Sequence, residues 1–433
     1  MKRYLIPLAA VIAAALAVTA GASVTVTGWT RVSDGGAEGS VGLARVTDRT
    51  LHVVWARAGT AFDSRISAGG KPAGRTPVAS GWASMAGPAL VVQPDGTLRA
   101  FLSGSIKPGD VGADIGIHTA TAPPSGAAWT LDPQAVWGGA LANQRDVHAV
   151  LGKDGTPVTA VGGSGAVFFN GIARGADGLV LPPAPYSYDP EVAVDQSSGA
   201  VVASWYVDQG GQRGIVTQQV YPSAGPRRLV GAADEAVDGG VSGRIGAAGT
   251  YVVISSPAGV RFGRVGGALG LVGKDAAVKA VDVTTGPDGR LWVSWLSTDG
   301  KLHAVRTNRA ASRFGAIQVA TPPTGSPTAF ELAGEGSAGP LDAIARYSSG
   351  SVVAWWHRQL LPPLSLSVRR DRKNVASIAV TDVGDPVAGA KVTLAGRSAT
   401  TDAKGRARVP GVTKAGKATA VAGGYADATV KFG

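Results

Sequence analysis

The chain has no cysteine and only two methionines among its 433 residues. The missing cysteine removes disulfide stapling, thiolate metal sites, cysteine nucleophiles and lipid attachment at an N-terminal cysteine. Charge is scarce too: 16% of residues are charged against 45% hydrophobic, the balance of a folded chain held by apolar burial. Sustained helical periodicity is lacking. No Gly-rich phosphate loop opens a helix, no GxSxG elbow occurs, and His52, His118, His148, His303 and His357 stand apart without the paired spacing that zinc uses. The segment KPGDVGAD at 107–114 lacks the ligand order of a calcium loop. No metal and no cofactor is expected. What is present is 63 glycines and 26 prolines between short alternating apolar runs, the pattern of an all-β chain rich in turns.

One apolar run approaches spanning length. MKRYLIPLAAVIAAALAVTAGAS places Lys2 and Arg3 before the run and Ala20-Gly21-Ala22 after it, the layout of a secretory signal peptide. Residues 1–22 are read as that signal, cut before Ser23; retention as an anchor is the alternative, because the run is nearly long enough to cross a bilayer. No second run of that length follows. The expected product is secreted or extracellular, associated with a bacterial cell envelope, with no membrane span after cleavage.

The stretch PDGRLWVSWLSTDGKLHAVRT (287–307) reads as turn, apolar strand, turn, strand, and its first half recurs along the chain. Copies are DRTLHVVWARAG (48–59), PDGTLRAFLSG (94–104), KDGTPVTAVGG (153–163), SSGAVVASWYV (197–207) and AAGTYVVISSPAG (247–259), at a loose period within the range of propeller blades. A seventh copy emerges when FELAGEGSAGPLDAIARYSSGSVVAWWHR is aligned on VDVTTGPDGRLWVSWLSTDGKLHAVR, with Leu341 to Tyr347 as the equivalent strand. That last unit is one strand short, and GWTRVSDG (28–35) supplies the missing one. Pairing the two would close a ring and leave only short sheet edges. Trp55, Trp205 and Trp295 share one register in three copies, which predicts rings packed between neighbouring blades. The expected fold is all-β: a seven-bladed β-propeller over 23–360, closed by an N-terminal strand, then a linker at 361–366 and a small immunoglobulin-like β-sandwich over 367–433.

The last segment is strongly basic. From Pro363 onward, twelve Lys and Arg face five acids, so it carries +7 of the chain's +11. Its GDPVAGAKV (384–392), TDAKGRARV (401–409) and Gly424-Tyr425 resemble the carboxypeptidase-regulatory-like and bacterial immunoglobulin-like modules. The resemblance covers roughly the last seventy residues and implies a β-sandwich acting as spacer, stalk or adhesive accessory. Alternation in RARV points Arg406 and Arg408 to one face, and with Lys404 and Lys391 they make a candidate patch for an anionic surface such as a cell-wall polymer. Nucleic acid is not expected as a partner, since the aromatic platforms of single-strand binders are missing there.

In architecture the ring resembles the sialidase-type secreted propellers. That resemblance implies an arginine cluster, a Tyr backed by a Glu, and an Asp acid/base, but STDG at 297–300 lacks the family's box spacing and its Trp, so no catalytic residue carries over. The loops entering the innermost strands gather on one rim, where Arg145, Asp146, His148, Asp238 and Asp275 are candidate ligand-binding residues. Asp189 and Glu191 flank Pro190, and alternation would set them on a common face beside Tyr188; two carboxylates and a Tyr are what glycoside cleavage requires. The sequence supports a non-catalytic binding or scaffold protein, its rim presenting a site for a glycan or an extracellular protein. The alternative is a secreted glycoside hydrolase or lyase using the rim carboxylates.

Overall fold

A computed structural model describes residues 28–36, 38–107, 115–132, 134, 136, 144–163, 166–171, 184–185, 187–208, 213–231, 238–275, 278–323, 331–349 and 352–433. Residues 1–22, read from the sequence as a signal peptide, lie outside them. The chain is all-β, and its described strands form nine sheets, seven of them between Thr30 and Leu360. Each of the seven runs antiparallel from an innermost strand outward. The innermost strands are Glu38–Arg45, Ala89–Val92, Gln144–Leu151, Ser187–Val194, Gly239–Ser242, Val278–Thr285 and Glu331–Glu335. Each touches the next in this order, and the last touches the first, so the sheets form a closed ring. Among the described residues no helix is long and apolar enough to cross a membrane.

The seventh sheet takes its outermost strand from the other end of the chain. Thr30–Arg31 pairs antiparallel with Val352–Leu360, Thr30 opposite His357 and Arg31 opposite Trp356. Further bonds extend the clasp: the Val32 and Gly36 N–H groups donate to the Trp355 and Val353 carbonyls at 2.9 Å each. The Val32 carbonyl in turn accepts from Ser64 Oγ and Arg75 of the first sheet, at 3.0 Å each, so this short segment ties the seventh sheet to the first.

The second strand of each sheet holds the core. Leu51–Arg57, Val201–Val207 and Leu291–Ser297 carry Trp55, Trp205 and Trp295, all buried in the expected register. Trp295 reaches the preceding sheet, where a side-chain carbon at Gly273 would lie 2.7 Å from its ring. Small residues also let the innermost strands approach. At Gly42 a Cβ would sit 2.7 Å from the Leu90 nitrogen and 2.8 Å from the Ala89 carbonyl carbon, backbone atoms that cannot rotate away. Gly42→Ala is therefore expected to cost about 1–3 kcal/mol through forced separation of two sheets. A thermal melt followed by tryptophan fluorescence checks this, and an unshifted midpoint would contradict the packing.

The two remaining sheets belong to the C-terminal unit. One contains Ser365–Arg370, Ala376–Asp382, Asp385–Pro386 and Arg406–Val409; the other runs Arg397–Thr400, Lys391–Leu394, Gly416–Val421, Ala428–Phe432. Ile378, Val380 and Val409 of the first meet Val392, Leu394, Ala420 and Phe432 of the second in one core. The first strand begins at Ser365, inside the span expected to be linker. The connection is pinned as well: Ala426 N–H donates to the Pro362 carbonyl at 3.0 Å, and Pro363 bridges Ala426.

Candidate functional site

Each ring sheet has four strands in its main path, so the chain returns to the same side before starting the next innermost strand. The starts of those strands therefore share one face of the ring, and that face is the candidate site. Most innermost-strand residues are buried, so exposed side chains concentrate at these starts: Tyr188, Lys279 and the preceding Lys274 are exposed, while Asp189 and Asp275 are half-buried.

Tyr188 is 42% exposed and pairs across the sheet with half-buried Tyr206, which the sequence reading did not single out. Two tyrosines facing each other at a rim offer flat apolar surface with hydroxyl tips. The common face expected for Asp189 and Glu191 does not form. The ladder slips by one residue between Tyr188 and Glu191, and Asp189 sits at φ +49°, so alternation fails at this point. Asp189 stays beside Tyr188 at the rim while Glu191 turns into the ring.

There Glu191 is buried, and its Oε2 accepts the Val241 N–H of the fifth innermost strand at 3.1 Å. A side chain at Gly240 would occupy that space, its Cβ falling 2.5 Å from Glu191 Oε2. Asp238 repeats the device one sheet on: buried, with Oδ2 accepting the Val281 N–H of the sixth innermost strand at 2.7 Å. Its backbone is held too, with N–H donating to Ser255 Oγ at 3.1 Å. Both carboxylates stitch neighbouring sheets together. Satisfying a backbone donor that would otherwise be buried unpaired is a structural task, and a carboxylate engaged in it is poorly placed for proton transfer at the rim.

Two more acids, Glu335 and Asp342, close the ring between the seventh sheet and the first, where both hydrogen-bond the Arg45 guanidinium. Asp342 Oδ1 also accepts from His357 Nε2 at 2.7 Å and Gln359 Nε2 at 3.1 Å. Burial works against the charge on Arg45, but Glu335 and Asp342 outweigh it and hold its pKa above the ordinary value. Burial likewise pushes Asp342 up, and Arg45 followed by the His357 hydrogen bond brings it net below the usual carboxylate range.

Asp275 approaches His303, with Oδ2 lying 3.8 Å from Nε2. The His303 ring stacks on Trp295 at 5.2 Å with planes 10° apart, and burial lowers its pKa despite Asp275 and Asp299 nearby, which favours the neutral ring. The STDG turn sits beside it: Ser297 Oγ donates to Asp299 Oδ1 at 2.7 Å and lies 3.3 Å from His303 Nε2. Asp299 is held well below the usual range, first by the Lys301 side chain and then by Ser297. Ser297 gives its proton to a carboxylate, and His303 Nε2 faces both Ser297 and Asp275, so the group is a turn anchor rather than a nucleophile and its base. His148 is buried in the third innermost strand opposite Ala160. The side chains of Arg145 and Asp146 lie outside the described residues.

The expected basic patch is divided. Arg406 and Arg408 are exposed on the outer face of one sheet of the C-terminal unit, beside Arg369, which shares a row with Arg408 through Ser377. Lys404 is exposed in the turn just before them. Lys391 projects from the other sheet, alternating with core residues Val392 and Leu394, and so points out of the opposite face. Sequence alternation fixed inside from outside, but not which sheet each strand joins.

No protein-family model and no curated protein sequence matches the chain. Among solved structures, similar chains include a protein of unknown function from Dyadobacter fermentans, 12% identical with TM-score 0.44, covering 64% of this chain and 94% of that one. The polysaccharide lyase Uly1 is 10% identical with TM-score 0.47, covering 76% and 90%. A fungal lectin from Aleuria aurantia, described as a six-bladed β-propeller with a novel fucose recognition mode, is 12% identical with TM-score 0.39, covering 81% and 97%.

Proposed function

We propose that the chain is an exported, non-catalytic binding protein: a seven-bladed β-propeller closed by its N-terminal strand, with an immunoglobulin-like sandwich as its surface-attachment unit. The rim around Tyr188, Tyr206 and Asp189 takes a glycan or an extracellular protein. The arginine face made by Arg369, Arg406 and Arg408 holds an anionic envelope polymer through charge attraction that salt screens. One observation carries the non-catalytic reading: Glu191, the rim carboxylate the sequence offered for glycoside chemistry, is buried as the acceptor for Val241 N–H. The exposed group left beside Asp189 is an aromatic ring, which serves recognition through its flat face.

The test is a glycan array with the full chain, run beside a screen of chromogenic glycosides. Tyr188→Ala is expected to weaken the best array ligand about tenfold or more, the loss of one aromatic contact of roughly 1.4 kcal/mol. Glu191→Gln keeps an oxygen for Val241 N–H and is expected to bind like the parent. Turnover of any glycoside that vanishes in Glu191→Gln would sink this reading in favour of a hydrolase.

A further inference from the structure

The second sheet of the C-terminal unit carries an ordered polar array on its outer face. Ser398 stands opposite Thr393, Thr393 opposite Thr419, and Thr419 opposite Thr429, so four hydroxyl residues form one row across all four strands. Thr393 and Thr419 alternate with buried positions and point outward, and the ladder sets Ser398 and Thr429 on the same face beside them; Thr419 is half-buried and the others exposed. At the usual strand spacing the row is about 14 Å long. Thr393 Oγ1 lies 3.1 Å from Ser398 Oγ, and Thr419 Oγ1 3.5 Å from Thr429 Oγ1. A hydroxyl has one donor and two acceptor positions, so each keeps capacity for a ligand.

Cations flank the row on both sides. Lys391 lies two residues before Thr393 on one side; Lys417 and Lys431 lie on the other, directly opposite each other in the ladder. Like charges facing across strands destabilise a sheet. Nothing in the fold repays that cost, since neither lysine pairs with an acid among the described residues. The acid at the margin of this face is Asp427, exposed just before Ala428.

From this juxtaposition we infer that the hydroxyl row and its three lysines bind an acidic polysaccharide of the polyuronate kind, lying along the row and across the strands. The inference deepens the attachment role proposed above and rests on it. Sugar hydroxyls both donate and accept, matching the row, whereas a polyphosphate backbone only accepts. Lysine is a compact, hydrated point charge suited to spaced anionic groups; the planar forks that grip carboxylate or phosphate bidentately are on the opposite face, at Arg406 and Arg408, so the hydroxyl row is what favours a sugar polymer here.

Retention of the full chain on immobilised polygalacturonate, a neutral dextran and inorganic polyphosphate tests this at low and physiological salt. Polygalacturonate is expected to bind and dextran not. Lys417→Ala/Lys431→Ala is expected to lose about tenfold in affinity for polygalacturonate, the scale of one charge-assisted contact. Thr393→Val/Thr419→Val, which keeps shape and β-propensity, is expected to weaken polygalacturonate several-fold and leave polyphosphate unchanged. Arg406→Ser/Arg408→Ser is expected to weaken polyphosphate only. Parental affinity for polygalacturonate in both the lysine and threonine variants overturns the assignment, and if the arginine variant alone loses the polyanion, attachment stands while this face is excluded. A parent that holds neither polyanion overturns both.

Discussion

Arg45→Met is expected to lower the unfolding free energy by about 3–5 kcal/mol, because it leaves Glu335 and Asp342 buried without their cation. Both acids bond the guanidinium, and Arg45 also donates to the Arg49 carbonyl at 2.8 Å, so one side chain joins the sheet that ends the ring to the sheet that begins it. The neighbouring clasp pairs only Thr30–Arg31 as strand and continues through the Val32 and Gly36 bonds, so Arg45 adds a buried charged tie to a short backbone one.

The loss should depend on pH in a definite direction. In the parent, Asp342 is held below its ordinary pKa, so its contribution is present above the unfolded value of about 3.9 and is lost as pH falls through the lower folded value. Without Arg45, burial is left to dominate and would raise the Asp342 pKa. The variant then loses stability as pH rises through the acid range, because ionising the buried carboxyl opposes folding. The gap between variant and parent should be widest near pH 7 and shrink toward pH 4. Urea midpoints at the two pH values measure it, and an equal loss at both would show that shape, not charge, is what Arg45 contributes.

The closure was legible because it rests on local signals. Turn phrases such as PDG and TDG put glycine where the chain needs left-handed backbone, as at Gly289 (φ +76°) and Gly300 (φ +77°), and the apolar strand after each turn is self-contained. Counting such phrases showed that the last unit lacked a strand. Rim chemistry was not legible, for an equally specific reason. Ladder irregularities occur near the start of four innermost strands, between Glu38 and Val41, Gln144 and Val147, Tyr188 and Glu191, and Val278 and Ala280. Parity arguments work along a regular strand and fail across a bulge, which is where Asp189 and Glu191 part company. Partners on neighbouring sheets are equally hidden, since nothing local links Asp238 to Val281 or Arg45 to Asp342. The patch of Lys391 with Arg406 was misread for the same reason: a sandwich sends strands close in sequence to opposite sheets.

Asp382→Ala is expected to release the C-terminal unit from the ring. Asp382 and Asp385 close the turn in which Val383 and Gly384 take positive φ, and both acids face arginines of the sixth sheet. Arg290 Nε lies 2.9 Å from Asp382 Oδ2, and Arg306 bonds the same oxygen; all three side chains are almost fully buried. Removing Asp382 strips the buried Arg306 guanidinium of its acid and leaves buried Arg290 with Asp385 and Asp288 alone, at a cost of about 3–5 kcal/mol. Undocking lets water reach both and is the cheaper response. Asp385→Ala should cost less, because its carboxylate is 17% exposed and Arg290 keeps Asp382. Limited proteolysis in the connection at 360–364, together with the radius of gyration from solution scattering, reads the outcome: rapid cleavage and expansion for Asp382→Ala, little change for Asp385→Ala. Parental resistance in Asp382→Ala would mean that apolar contacts hold the junction. On the proposed reading, a docked unit keeps its two basic faces at a fixed distance from the Tyr188 rim, so a polymer and a rim ligand presented at that spacing would be engaged as one bivalent event whose effective concentration is highest when the spacing matches. The same variant should therefore weaken retention on a surface bearing both ligands while leaving affinity for each soluble ligand unchanged.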